Sequence, residues 1–357
     1  MSSFMEDKKK MWGSTIFLAA LMAGTFFFLL RDISWPMLLG TLRKVNPLFI
    51  LVGFALMVSF VACEALNIRI ILRQVGLRIP FFRCLRYSFV GFYFSSITPS
   101  ASGGQPAQAY YMNKEGISVS LSSLTLLVIV AIYQLVMMLY ALVCFIWKYK
   151  FVSAGVQGIG LLVIFGFAFN SCLFAFIVAT IFSKKWLRKV MMACASFLHR
   201  LHIVKDLAKV EEWLDRQIRE YQEGAAFIRK NPKVLGKVLL VTVVQLSCQF
   251  LVPYCVYLAF GLRQYGPMDL IAVQALLNVA VVALPLPGAV GATEGSFLLV
   301  YKLFFSQTQI LPAMLLSRGI SFYGFVLISG IVSLAVHLQI SRRQQKGKKL
   351  KVCKSLC

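Results

Sequence analysis

The chain has 357 residues, 59% hydrophobic and 14% charged, and its 37 Lys and Arg outnumber 13 Asp and Glu to give a net charge of +24. That much apolar surface excludes a soluble domain and indicates a polytopic membrane protein. The basic excess reads as loops held on the cytoplasmic side, with an attraction to anionic headgroups of about 1 kcal/mol per Lys or Arg; nucleic-acid binding is set aside because no recognition motif accompanies the charge.

In chain order, "MSSFMEDKKK" precedes an apolar run, Met11–Leu30. It is long enough to cross a bilayer and too long for a signal-peptide core, which predicts a retained first span. Further spans are predicted at Pro47–Ile68, Leu121–Trp147, Gly155–Phe182, Val234–Phe260 and Ala313–Leu338. The fold class is therefore an all-α membrane bundle of six spans, occupying 1–357 as one domain. Two other apolar regions, Cys84–Met112 and Pro267–Phe305, each hold a helical run, a Pro/Gly break and a second helical run.

Charges set the orientation. Lys8–Lys10, the five arginines from Arg69 to Arg86, the basic stretch Lys184–Lys237 and the tail 341–357 are all read as cytoplasmic. Parity then requires Cys84–Met112 to enter from the cytoplasm and turn back, and Pro267–Phe305 to enter from outside and turn back. Each is read as a re-entrant helical hairpin with its break at the tip. Residues 47–147 and 234–338 then form two half-repeats of inverted topology. Irregular backbone at membrane depth survives only where protein buries it or water reaches it, so the two tips predict a polar cavity near the midplane.

The insert 184–232 carries helical periodicity at Leu187, Val190, Met191, Cys194, Leu198 and Leu201, and again at Leu207, Val210, Leu214, Ile218 and Tyr221. Two readings stand: amphipathic helices on the membrane surface, or a helical hairpin packed on the bundle. His199 and His202 have HxxH spacing but no companion ligands, so no metal is expected. The nine cysteines lie mostly inside apolar runs and read as small core residues.

At each tip a new helix begins, and a helix N-terminus offers unpaired N–H groups to an anion. In the first hairpin Pro99, Gly103, Gly104 and Pro106 make the break, with Ser100, Ser102, Gln105 and Gln108 as neutral hydrogen-bonding groups. In the second, Pro285, Pro287, Gly288 and Gly291 make the break, and Thr293, Glu294 and Ser296 open the next helix. The set suits a phosphate with a polar or cationic substituent, that is, a lipid headgroup; the same residues also suit plain capping and packing. Embedded charges are few: Glu64, Glu294 and Arg318. Arg318 is expected either to hold a lipid phosphate or to neutralise Glu294 or Glu64. No P-loop, HExxH or GxSxG occurs, so no catalytic residue or cofactor is assigned, and any transport is expected to be passive or driven by an ion or the membrane potential.

The motifs "TPSASGGQPAQAYYMNKEGIS", "LPLPGAVGATEGSFLLVY" and "SRGISFYGFVLISG" resemble the transmembrane region of lysylphosphatidylglycerol synthases, flippase-like membrane proteins related to the multiple peptide resistance factor. The resemblance runs over nearly the whole chain. It rests on Pro99, Gly103 and Gly104 in the first motif, and on Pro287, Gly288, Gly291, Glu294, Gly295 and Arg318 in the second half. Many relatives carry an Arg near the position of Gln108. The resemblance implies a bacterial inner-membrane protein handling an anionic or aminoacylated phospholipid such as (lysyl-)phosphatidylglycerol. The full synthases add a large soluble transferase domain, and none is expected here after the tail "KKLKVCKSLC". Lysyltransferase chemistry is therefore expected to need a separate aminoacyl-transferase partner. A scaffold for an envelope enzyme and a homo-oligomer are the remaining expectations.

Overall fold

In a computed structural model of the chain the described residues are 45–148, 160–183, 220–226, 230–282 and 286–355, with isolated positions outside these runs. They form an all-α polytopic membrane bundle. Its helices are α1 (Pro47–Gln74), α2 (Phe81–Ile97), α3 (Gly104–Lys114), α4 (Val119–Trp147), α5 (Gly160–Phe182), α6 (Pro232–Phe250), α7 (Val252–Ala259), α8 (Pro267–Val282), α9 (Ala292–Val300), α10 (Ile310–Arg318) and α11 (Gly324–Ser355). A π-helical segment, Gly319–Tyr323, joins α10 to α11.

Five stretches among the described residues are long and apolar enough to cross a membrane: α1, α4, α5, α6 with α7, and α10 running into α11. They match five of the six expected spans. The sixth, Met11–Leu30, lies outside the described residues apart from Ile16. Polar caps set the starts of two of the spans. Asn46 accepts from Leu48 N–H at 2.9 Å with Pro47 in the first turn, and Ser118 caps α4 by accepting from Leu121 N–H. The α6–α7 span breaks at Leu251, just before Pro253, where a missing N–H and the ring interrupt the helix.

The two irregular regions form helical hairpins. At ~1.5 Å rise per residue, helices of 17 (α2), 11 (α3), 16 (α8) and 9 (α9) residues all fall short of a ~30 Å hydrocarbon core. The hairpins enter from opposite ends of the bundle. Asn46 N–H, at the start of α1, donates to the carbonyl of Ala259, at the end of α7, at 2.9 Å. Asn67 and Thr242 are bonded further along, so α1 and α6–α7 are antiparallel. The first hairpin follows the end of α1, and the second follows the end of α7, beside the start of α1. They meet inside, where Pro99 and Pro287 form an isolated antiparallel β-bridge.

Packing positions both hairpins. The α2 helix lies against α1 and α11, and α8 against α4 and α5. Gly166 on α5 admits α8 closely, because an added Cβ would overlap the backbone at Val279. Asn170, bonded to Gln134, also donates to the Val279 carbonyl at 3.3 Å. A small cluster of Tyr93, Ile97, Val290, Phe322, Tyr323 and Val326 includes residues beside both tips.

In the insert, residues 220–226 are helical. Ile218, Tyr221 and Ala225 are buried in the core around α1–α4, and Glu220 accepts from the hydroxyls of Ser118 (2.6 Å) and Ser120 at the start of α4. This part packs on the bundle. Leu187, Val190, Met191, Cys194, Leu198, Leu201, Leu207, Val210 and Leu214 lie outside the described residues.

Candidate functional site

The tips are built from backbone that most residues avoid. Among the described residues three non-glycine residues have positive φ: Ser100 (49°), Ala101 (54°) and Ala289 (51°). All three are at the tips, as are Gly288 (57°) and Gly291 (85°). Left-handed backbone in non-glycine residues costs ~1–3 kcal/mol apiece and persists where the surroundings dictate it.

The second tip is organised around a buried ion pair. Glu294 is 1% exposed and Arg318 9%. Glu294 Oε1 accepts from Arg318 Nε at 2.8 Å and from the Tyr323 hydroxyl at 2.7 Å. Its Oε2 accepts from Gly291 N–H at 2.7 Å, which caps α9 from the third residue of its own first turn. The carboxylate thus fills the anion position that a bare helix N-terminus would offer. Arg318 also donates through Nη2 to the Gly288 carbonyl at 3.2 Å and stacks over the Phe322 ring at 4.3 Å. A Cβ on Gly288 would overlap that ring, so this position needs glycine for space as well as for φ. Thr293 donates to the Ala289 carbonyl, and Pro287 is buried.

The sequence left Arg318 to a lipid phosphate, Glu294 or Glu64; the structure pairs it with Glu294. Sequence reasoning missed Tyr323 and the π segment. On an α-helix residues five apart point to different faces. The wider π turn brings Arg318 and Tyr323 onto one side, where both reach the same carboxylate oxygen. Such single-turn bulges concentrate at functional positions. The available signal was the pair Gly319 and Gly324 bracketing Phe322–Tyr323 directly after an embedded arginine.

The first tip carries no charge. Gly103 N–H donates to Thr98 Oγ at 2.8 Å, and α3 starts with no side-chain cap. Pro99, Ser100, Ala101 and Ser102 are exposed and Gln105 is partly so. Gly104 lets α3 approach α2, since a Cβ there would overlap Ser95. Gln108, 3% exposed, crosses over Gly91, where a Cβ would overlap its amide. It reaches Glu64 on α1, which also accepts from Gln245 Nε2 at 3.2 Å.

A groove of about 570 Å³ opens on the side of the bundle, lined by Pro80, Phe82, Arg83, Leu85, Arg86, Phe89 and Val332. Its apolar wall ends in two arginines held by Glu115: Arg86 Nη2 at 3.3 Å and Arg83 Nε at 3.6 Å. Arg86 also donates to Gln339 at 2.7 Å. The groove lies along α2, the helix leading to the first tip.

A family model described as "Lysylphosphatidylglycerol synthase TM region" matches residues 12–329. A "UPF0104 membrane protein" from Archaeoglobus fulgidus is 26% identical over 294 residues, 80% of this chain and 84% of that protein. Another from Pyrococcus horikoshii is 24% identical over 313 residues, covering 82% and 88%. The matched span takes in both hairpins and the Glu294–Arg318 pair, and the chain belongs to the lysylphosphatidylglycerol synthase transmembrane-region family.

Proposed function

We propose that the protein binds an anionic or aminoacylated phospholipid, such as (lysyl-)phosphatidylglycerol, and carries its headgroup between leaflets. The observation that carries this reading is the meeting of two broken hairpins, entering from opposite ends, at the Pro99–Pro287 bridge. Backbone of that kind at membrane depth survives where protein buries it or water reaches it, and the exposed turn Pro99–Ser102 supports the second case. Arg318 supports the reading. The five donors of a guanidinium exceed the acceptors it meets here, Glu294, Gly288 and Tyr323, which leaves N–H groups for a phosphate. The uncapped start of α3, with Ser102, Gln105 and Gln108 nearby, would supply neutral donors. The lateral groove would admit acyl chains along Phe82 and Phe89 while Arg83 and Arg86 meet the headgroup. Residues 47–147 and 234–338 would act as the two half-repeats that rock about the site. Both termini would be cytoplasmic, as the basic loops favour. The archaeal relatives widen the bacterial inner membrane implied by the resemblance to a prokaryotic cell membrane.

The test is reconstitution of the purified chain into vesicles holding labelled phosphatidylglycerol or lysyl-phosphatidylglycerol in one leaflet. Translocation well above protein-free vesicles, without aminoacyl-tRNA, is expected. Translocation no faster than the control, or aminoacyl transfer from charged tRNA by the purified chain, would overturn the proposal.

A further inference from the structure

The two acids at membrane depth are treated differently. Glu294 is neutralised by Arg318. Glu64, on the long span α1, has no cationic partner among the described residues; its hydrogen bonds come from the neutral amides of Gln245 and Gln108. One turn further along the same face, Asn67 is fully buried. Its amide nitrogen donates to Thr242 (3.1 Å) and Gln245 (3.4 Å), and its Oδ1 is buried with no partner. An uncompensated carboxylate at this depth is costly, and such residues mark ion or proton routes. A metal ion would need a shell of oxygens, whereas Glu64 is met by amide N–H donors. A proton removes the charge without a shell, and the idle Asn67 oxygen can accept from an acid O–H or from a water between them.

Among the described residues, the titratable groups near Glu64 include Cys63 beside it and Tyr133 on α4, with Cys248 on α6 near Cys63. Tyr133 donates to Gln249 at 3.5 Å. The α3 helix presents neutral Gln108. The only charged groups the described residues of α2 and the π junction bring to this core are Arg83 and Arg86 at the end of the groove and Arg318 in its ion pair.

Resting on the lipid reading above, we propose that Glu64 holds an exchangeable proton and couples the passage of an anionic headgroup to the movement of one proton in the same direction. In each cycle a carboxylate oxygen of Glu64 takes one H⁺ from water at one face. It returns that H⁺ to water at the other face, so only an O–H bond forms and breaks. The coupling element is the first hairpin. Gln108 touches Glu64 and lies one turn from Gly104 at the tip. A phosphate arriving near the tips adds negative charge close to Glu64 and favours its neutral form. One proton with one singly charged headgroup moves no net charge.

The experiment uses vesicles with labelled phosphatidylglycerol and an imposed gradient of one pH unit, which corresponds to about a tenfold bias for one-to-one coupling. Wild type should accumulate the label in the leaflet toward which protons flow, approaching that bias. Glu64→Gln should still exchange lipid but show none. An infrared pH titration of the reconstituted protein should show a protonated-carboxyl band that is absent in Glu64→Gln. A wild-type distribution indifferent to the pH gradient, one driven by a sodium gradient instead, or an equal response in Glu64→Gln would overturn the proposal while leaving lipid translocation in place. If Glu64→Gln does not fold, the wild-type gradient experiments decide alone. If no lipid moves in any vesicle, the translocation reading falls and coupling falls with it, while the infrared band still reports whether Glu64 holds a proton.

Discussion

The two hairpin tips solve the same problem in different ways. Both break a helix inside the bundle, and both use left-handed backbone to do so. The second closes on itself: Glu294 caps its own helix and binds Arg318 and Tyr323. The first is tied by Thr98 and otherwise leaves its turn exposed, with α3 uncapped. A charged tip tied by its own ion pair thus faces a neutral, more exposed one. Charge lies on one side of the meeting point and neutral hydrogen-bonding groups on the other.

The contrast can be broken most sharply at the ion pair. Arg318→Ala strands Glu294 in a buried site and should destabilise the protein by ~3–5 kcal/mol, read as thermal unfolding in detergent. The double change Arg318→Met with Glu294→Gln should recover much of the loss, and a double mutant no better than Arg318→Ala would show that the pair is not the main support. Next, Gly288→Ala places a methyl at positive φ against Phe322 and should cost ~2–3 kcal/mol; Phe322→Ala in the same chain should relieve the steric part. Tyr323→Phe removes one of two donors to Glu294 Oε1 and should cost about 1.5 kcal/mol, with Arg318 still in place. Smallest, Thr98→Ala at the first tip should cost about 1 kcal/mol or less. If Thr98→Ala were as damaging as Arg318→Ala, the first tip would be as tightly built as the second and the contrast would fail.

Much of this was legible in the sequence because bilayer physics is severe. Five spans, both Pro/Gly breaks and the entry of the two hairpins from opposite ends follow from apolar run lengths and basic loops. Glu294 and Arg318 stood out because embedded charges are rare. Their pairing did not, since 24 residues separate them and a choice between Glu64 and Glu294 needs coordinates. Tyr323 escaped because an α-helical period puts it on the wrong face, and only the π turn rotates it toward Arg318. The partners of Glu64 escaped for another reason. Gln108 and Gln245 lie on separate helices, and a glutamine inside an apolar run carries no mark of what it touches. The break at Leu251 is a smaller miss: Pro253 sits in a run that reads as one continuous span, and the reading kept it unbroken.

Pro99 and Pro287 carry a last consequence. Neither ring has an N–H, so the seam between the hairpins depends on the residues flanking them, and a bridge of one or two backbone bonds is worth only ~0.5–1.5 kcal/mol for each. That is a weak link between the two tips. A link so weak can part without unfolding either hairpin, and the same two rings, with no N–H to donate, keep it from extending into a sheet.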